Sequence, residues 1–162
     1  MFIYSIRAST VKFFGFVLLT VCLIIGCVGF GGEASAMASS EAMGVDYGGI
    51  KSNEDRVAFI KNFGIEIDET PTEEDTFTIP ENFDRVISGY NELQKKQGLD
   101  ITKYASKRVT RYTYKVKNYD AEGEVYATVF VYRSRIVACD ISSASPAGFV
   151  VPLTLVDRAK LK

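Results

Sequence analysis

Histidine and tryptophan are absent from the 162 residues, and cysteine and proline are scarce, at three and four. Each shortage removes a class of function. Without histidine the chain lacks the commonest general base and the commonest transition-metal ligand. Cys22 and Cys27 lie inside an apolar run, so only Cys139 stands in the part that reads as folded. One thiol closes no internal disulfide and builds no zinc site. Glycine-rich phosphate loops and paired-carboxylate signatures are missing too. A serine nucleophile would have no histidine to activate it. Catalytic, cofactor-binding and metal-binding residues are therefore expected to be none. A net charge of −1 argues against general affinity for nucleic acid.

What charge there is sits unevenly. Residues 41–84 carry twelve acids against three bases, and residues 85–117 carry nine bases against two acids. An acidic layer and a basic layer attracting each other within one fold explain this. A basic face meeting an anionic surface is the sharper alternative. Within the acidic part, Asp68, Glu69, Glu73, Glu74 and Asp75 match no calcium-loop spacing, and Pro71 interrupts them. They read as a solvated loop.

The chain divides into four parts. Residues 1–12 carry Arg7 and Lys12. Residues 13–30, from Phe13 to Phe30, are uncharged and apolar (FFGFVLLTVCLIIGCVGF). As a helix this run rises about 27 Å, close to a hydrocarbon core of about 30 Å. It reads as a membrane anchor or the apolar part of a signal peptide. Ala34-Ser35-Ala36 offers a cleavage site, and Ile24-Ile25-Gly26-Cys27 loosely fits a lipobox that would place a lipid on Cys27. Positive charge before the run and Glu33 after it put the following domain outside the cytoplasm in all three cases. Residues 31–49 are small and polar and read as a linker. Residues 50–162 are the expected domain.

Within that domain Ser52 and Asp55 resemble a capping box, followed by an apolar face of Val57, Phe59, Ile60 and Phe63 and a closing Gly64. Residues 65–68 alternate as a short strand, and residues 76–79 suggest another. A second helix is expected over 80–97, with Pro80 in its first turn. Its face would be Phe83, Val86, Ile87, Tyr90, Leu93 and Gln97, and Gly98 would end it. Three strands follow at 107–118, 124–133 and 135–142, joined by short turns that permit an antiparallel meander. A last strand near 149–156 contains Pro152, which confines it to an edge. The expected fold class is α+β: two amphipathic helices on one face of a mainly antiparallel sheet, preceded by an N-terminal apolar helix.

Tyrosine crowds the second half of the chain. Tyr112 and Tyr114 share a strand face with Val116, and aromatic strand faces bind sugars and peptides as well as packing cores. Asp140 stands in an otherwise apolar strand beside Ser142. These four are the candidate binding residues. Cys139 reads as a small core residue.

The order of SNEDRVAFIKNFG, IPENFD, YNELQKKQG, RYTYKVKNY, a strand ending VYR, and DISSA before Gly148-Phe149 resembles an uncharacterised bacterial domain-of-unknown-function family found mainly in Firmicutes. Arg133-Ser134 stands here where that family usually turns on glycine or asparagine, and Ile65 where it often has tryptophan. The resemblance implies an anchored extracytoplasmic domain and supplies no activity. The leading expectation is a non-enzymatic binding or regulatory module, in contact with the membrane through residues 13–30 and with a protein, peptide or wall component. A hydrolase or transferase using carboxylate or serine chemistry near Asp140 is one alternative. A structural subunit of a membrane complex is the other.

Overall fold

A computed structural model describes residues 44–162. The apolar run, Cys27 and the cleavage site lie outside the described residues. Among the described residues no helix is long and apolar enough to cross a membrane.

Helix α1 spans Asn53–Lys61. Its start is fixed reciprocally: the Ser52 hydroxyl accepts from the Asp55 N–H, and the Asp55 carboxylate accepts from the Ser52 N–H at 2.8 Å. Two otherwise orphaned donors are thereby satisfied. Gly64, at φ +80°, turns the chain out of the helix, a conformation that glycine adopts without a Cβ clash. Helix α2 spans Arg85–Lys95, capped by Asp84, whose carboxylate accepts from the Ile87 N–H at 2.8 Å. It begins five residues after Pro80, where the Asp84 carboxylate caps it.

Five strands form one sheet: β1 (Glu73–Thr78), β2 (Arg108–Lys115), β3 (Val125–Tyr132), β4 (Arg135–Ser143) and β5 (Val150–Pro152). Their spatial order equals their chain order, and every pairing is antiparallel. The expected meander is present. So is the edge position of the strand containing Pro152. Arg133 and Ser134 join β3 to β4 with φ of 45° and 63°, the left-handed pair that a two-residue hairpin needs. The expected strand at 65–68 reduces to one bridge, Ile67 with Val116. The acidic loop partly becomes β1 instead, because pairing with β2 outweighs the weak strand preference of its acids.

Alternation gives the sheet two unlike faces. One carries Tyr112, Tyr114, Ala127, Val129, Cys139 and Ile141, and α1 covers it with Val57, Phe59 and Ile60. Leu99, Leu153 and Val156 complete this main core. The other face carries Glu73, Phe77, Arg111, Thr113, Thr128, Phe130 and Asp140. A register shift between Phe130 and Val131 makes Val137 an extra residue, and it joins Ile79 and Val109 in a small second core. Bulges re-aim side chains in this way.

The two helices therefore do not share a face, contrary to expectation. Tyr90 of α2 reaches Phe130 and Asp140 on the second face. The buried positions of α2 are Asn91 and Gln94, not the expected apolar stripe. The physical reason lies at the outer edge of β4, where Cys139 turns its backbone groups away from β3. Gln94 Oε1 accepts from the Cys139 N–H at 3.0 Å, and Gln97 Nε2 donates to the Cys139 carbonyl at 2.6 Å. Two side-chain amides stand in for a neighbouring strand, and buried backbone groups require such partners.

Candidate functional site

The second face of the sheet is only partly covered. A groove of about 820 Å³ runs across it, from β1 to β5 and under α2. Its walls are apolar: Phe77 from β1, Val86 and Ile87 from α2, Tyr126 and Phe130 from β3, and Val150 from β5. Phe130 holds the centre, with the Phe77 ring 5.7 Å away and the Tyr90 ring 6.0 Å away.

The floor is polar. Register places Glu73 opposite Thr113, Thr113 opposite Thr128, and Thr128 opposite Asp140. This is one row of polar side chains across four strands, all four lining the groove. The next row carries Asp75 and Arg111. The Arg111 guanidinium is buried and lies 3.3 Å from Glu73 and 3.6 Å from Asp75. The Thr113 hydroxyl is buried with no hydrogen-bond partner among the described residues.

Asp140 is the focus of this row. It is 6 % exposed, and the Tyr90 hydroxyl donates to its Oδ2 at 2.7 Å. Burial pushes its carboxyl up to about 7, and the Tyr90 hydrogen bond and the Arg111 charge only partly offset this. Desolvation disfavours the charged form in this manner. Burial, with the Asp140 charge second, holds the Tyr90 phenol well above its usual range. Burial also raises Glu73, opposed by Arg111. Two carboxyls in one cleft are thus shifted toward neutrality, a pattern typical of functional sites. Asp140 can exchange a proton near neutral pH or hold a positively charged group. Among the described residues no cluster of His, Cys, Asp or Glu could hold a metal ion.

The candidate residues read from sequence separate onto the two faces. Asp140 and Ser142 line the groove. Tyr112 and Tyr114 belong to the opposite face. Tyr114 is fully buried, accepting from Arg56 Nε at 2.8 Å and donating to Asn53 Oδ1 at 2.9 Å. The Arg56 guanidinium lies 3.6 Å from the centre of the Tyr112 ring. Asp140 is buried, and its hydrogen-bond donor comes from α2. Cys139 is buried and its thiol is pushed well up by burial, so it is an inert packing residue. Sequence reasoning missed Glu73, Tyr90, Arg111, Thr113 and Thr128. The available signal was a polar residue near the middle of each of three adjacent strands.

A family model described as a domain of unknown function, DUF4830, matches residues 59–141. The chain belongs to that DUF4830 family. The match takes in the last three residues of α1, all of α2, β1 to β3 and most of β4, and it ends one residue past Asp140. The groove floor from Glu73 to Asp140 therefore lies within the DUF4830 domain, whereas Ser142 and β5 lie beyond the match. No curated protein and no solved structure matches the chain.

Proposed function

We propose that this DUF4830 protein is a non-enzymatic binding module, held on the outer side of a bacterial cytoplasmic membrane by residues 13–30, and that the groove on the second sheet face takes its ligand. One observation carries the reading: a concave site of about 820 Å³, apolar in its walls, with a few polar groups gathered on its floor. Small-molecule sites have that size and that division of labour. The location rests on the uncharged run from Phe13 to Phe30, with Arg7 and Lys12 before it and Glu33 after it.

Photolabelling of the full chain in lipid nanodiscs with an uncharged alkyl alcohol bearing a diazirine tests the groove. Label mapped to the peptides containing Tyr126–Phe130 and Val86–Tyr90, and lost when Thr128→Trp fills the floor, supports the reading. Label confined to residues 13–30 overturns it. Protease added to intact protoplasts tests the location: digestion of residues 44–162 is expected, and their full protection would reverse the topology.

A second reading has its own observation, the carboxyl of Asp140 poised at about 7 beside a tyrosine hydroxyl. A general acid or base has this character. Turnover of any envelope substrate that is lost in Asp140→Asn, with thermal stability kept, would make the module an enzyme.

A further inference from the structure

We infer that the ligand is an amphipathic amine, with an apolar body lying along the groove and a protonated head group set against Asp140. The inference rests on the groove being the binding site and adds the chemistry of what enters it.

The charges facing the groove set the sign of the head group. Arg111 is the one base among the described lining residues, and Glu73 and Asp140 are the acids. Arg111 is already engaged by Glu73 and by Asp75. Asp140 has one hydrogen-bond donor, the Tyr90 hydroxyl at 2.7 Å, and a second carboxylate oxygen with lone pairs to spare. One guanidinium therefore serves three carboxyls, and Asp140, at the α2 end of the floor, is only partly compensated by it. A carboxylate or phosphate head placed there would meet like charge in a desolvated site. An ammonium would meet a carboxylate whose burial Tyr90 and Arg111 only partly offset, and pairing relieves the remaining cost. Asp140 is neutral in part near pH 7, because burial raises it, and an approaching cation would draw it into the charged form.

A second observation points to a ligand independently. The Thr113 hydroxyl is two strands from Asp140 in the same row, 4 % exposed, and lacks a partner among the described residues. Buried hydroxyls ordinarily have one. At the usual strand spacing Thr113 lies roughly 10 Å from Asp140, so an ammonium at Asp140 leaves the Thr113 hydroxyl to a second polar group of the ligand. The ring of Tyr90 stands at Asp140 and packs on that of Phe130, and aromatic faces attract ammonium groups. The walls then take the apolar body.

The groups that act on Asp140 are Tyr90 from α2 and Arg111 from β2; Glu73 and Asp75 of β1 lie beyond Arg111, and Cys139 points to the opposite face. Burial raises the Asp140 carboxyl to about 7. Amine binding should strengthen as pH rises through about 7.

Three diazirine probes of equal alkyl length, ending in an ammonium, a hydroxyl or a carboxylate, separate the possibilities on the full chain in nanodiscs. Lipid labelling corrects for partition into the bilayer. The ammonium probe should label the Tyr126–Phe130 and Val86–Tyr90 peptides at roughly tenfold lower concentration than the other two, the scale of one added charge pair. Asp140→Asn should abolish that preference while the hydroxyl probe still labels. Equal labelling by all three, or stronger labelling by the carboxylate, overturns the amine and leaves the groove standing. Absence of groove labelling by every probe overturns both.

Discussion

The two faces of this sheet are made from the same strands and differ in almost every other respect. On the face under α1, alternate residues are apolar, and the polar groups that do enter are satisfied. Tyr114 answers Arg56 and Asn53. On the face under α2, a row of polar residues is buried in a half-covered groove, one hydroxyl lacks a partner, and two carboxyls are shifted from their usual range. Burying polar groups without full compensation costs stability. That cost falls on the second face, the face on which the proposed ligand site lies. Departures from internal consistency concentrate where a protein acts.

That contrast can be broken first by cavity formation. Ile60 of α1 is fully buried in the main core, and Ile60→Ala should destabilise the protein by about 2–5 kcal/mol. Val86→Ala on the half-buried groove wall should cost no more than about 1–1.5 kcal/mol, since part of the side chain is already open to the groove. Comparable shifts in urea midpoint for the two would show that the groove wall is as closely packed as the core.

The next effect is a dependence on pH confined to the groove face. Asp140 rises from 3.8 unfolded to about 7 folded, so between these values the native state holds more protons than the unfolded one. Stability contributed by neutral Asp140 is complete below about 4 and is lost as pH climbs to about 7, by an amount on the order of a few kcal/mol. Asp140→Asn should flatten this part of the profile and leave the variant more stable than the parent at pH 8. Urea unfolding at intervals from pH 4 to 8 reads this out. A parent profile that rises across that window would mean that Asp140 is ionised and well compensated.

The smallest test sets one hydroxyl against another. Tyr114→Phe removes a partner from the buried Arg56 and should cost about 1–3 kcal/mol. Thr113→Val, at a nearly isosteric buried site whose hydroxyl has no partner among the described residues, should be neutral or stabilising by up to about 1 kcal/mol. Thermal unfolding of the two variants side by side suffices. A clear loss for Thr113→Val would mean that its hydroxyl is satisfied in the native protein.

How much of this the chain announced varies by element. The capping box at Ser52 and Asp55, the glycine ends of both helical segments and the three central strands are local signals, and each appears where local rules place it. Alternation also separated Tyr112 and Tyr114 from Thr113 correctly. It could not say which face α1 would cover, and the tyrosines rather than the threonine drew attention. The first half of strand β1 was hidden, though residues 76–79 suggested a strand, because Glu73, Glu74 and Asp75 are poor strand formers that pair only once β2 is beside them. The buried side of α2 was hidden for a different reason. Periodicity weighs hydrophobicity, whereas Asn91 and Gln94 are buried by hydrogen bonding; Gln97, which the expected face did include, is buried in the same way. The groove is a property of two unlike coverings and has no signature in any single segment.

The amide clip on β4 has a further consequence, for ageing. Gln97 Nε2 donates both to the Cys139 carbonyl and to Gln94 Oε1, the latter at 2.7 Å. Hydrolysis of that amide to a carboxylate would turn a donor into an acceptor facing two acceptors, in a site 8 % exposed. The strand edge would lose its substitute neighbour through a change of one unit of mass. A sheet edge that has lost its covering is open to another strand. Long-term integrity at this edge therefore depends on the slow chemistry of a single side chain, and burial, by excluding water from it, is what protects it.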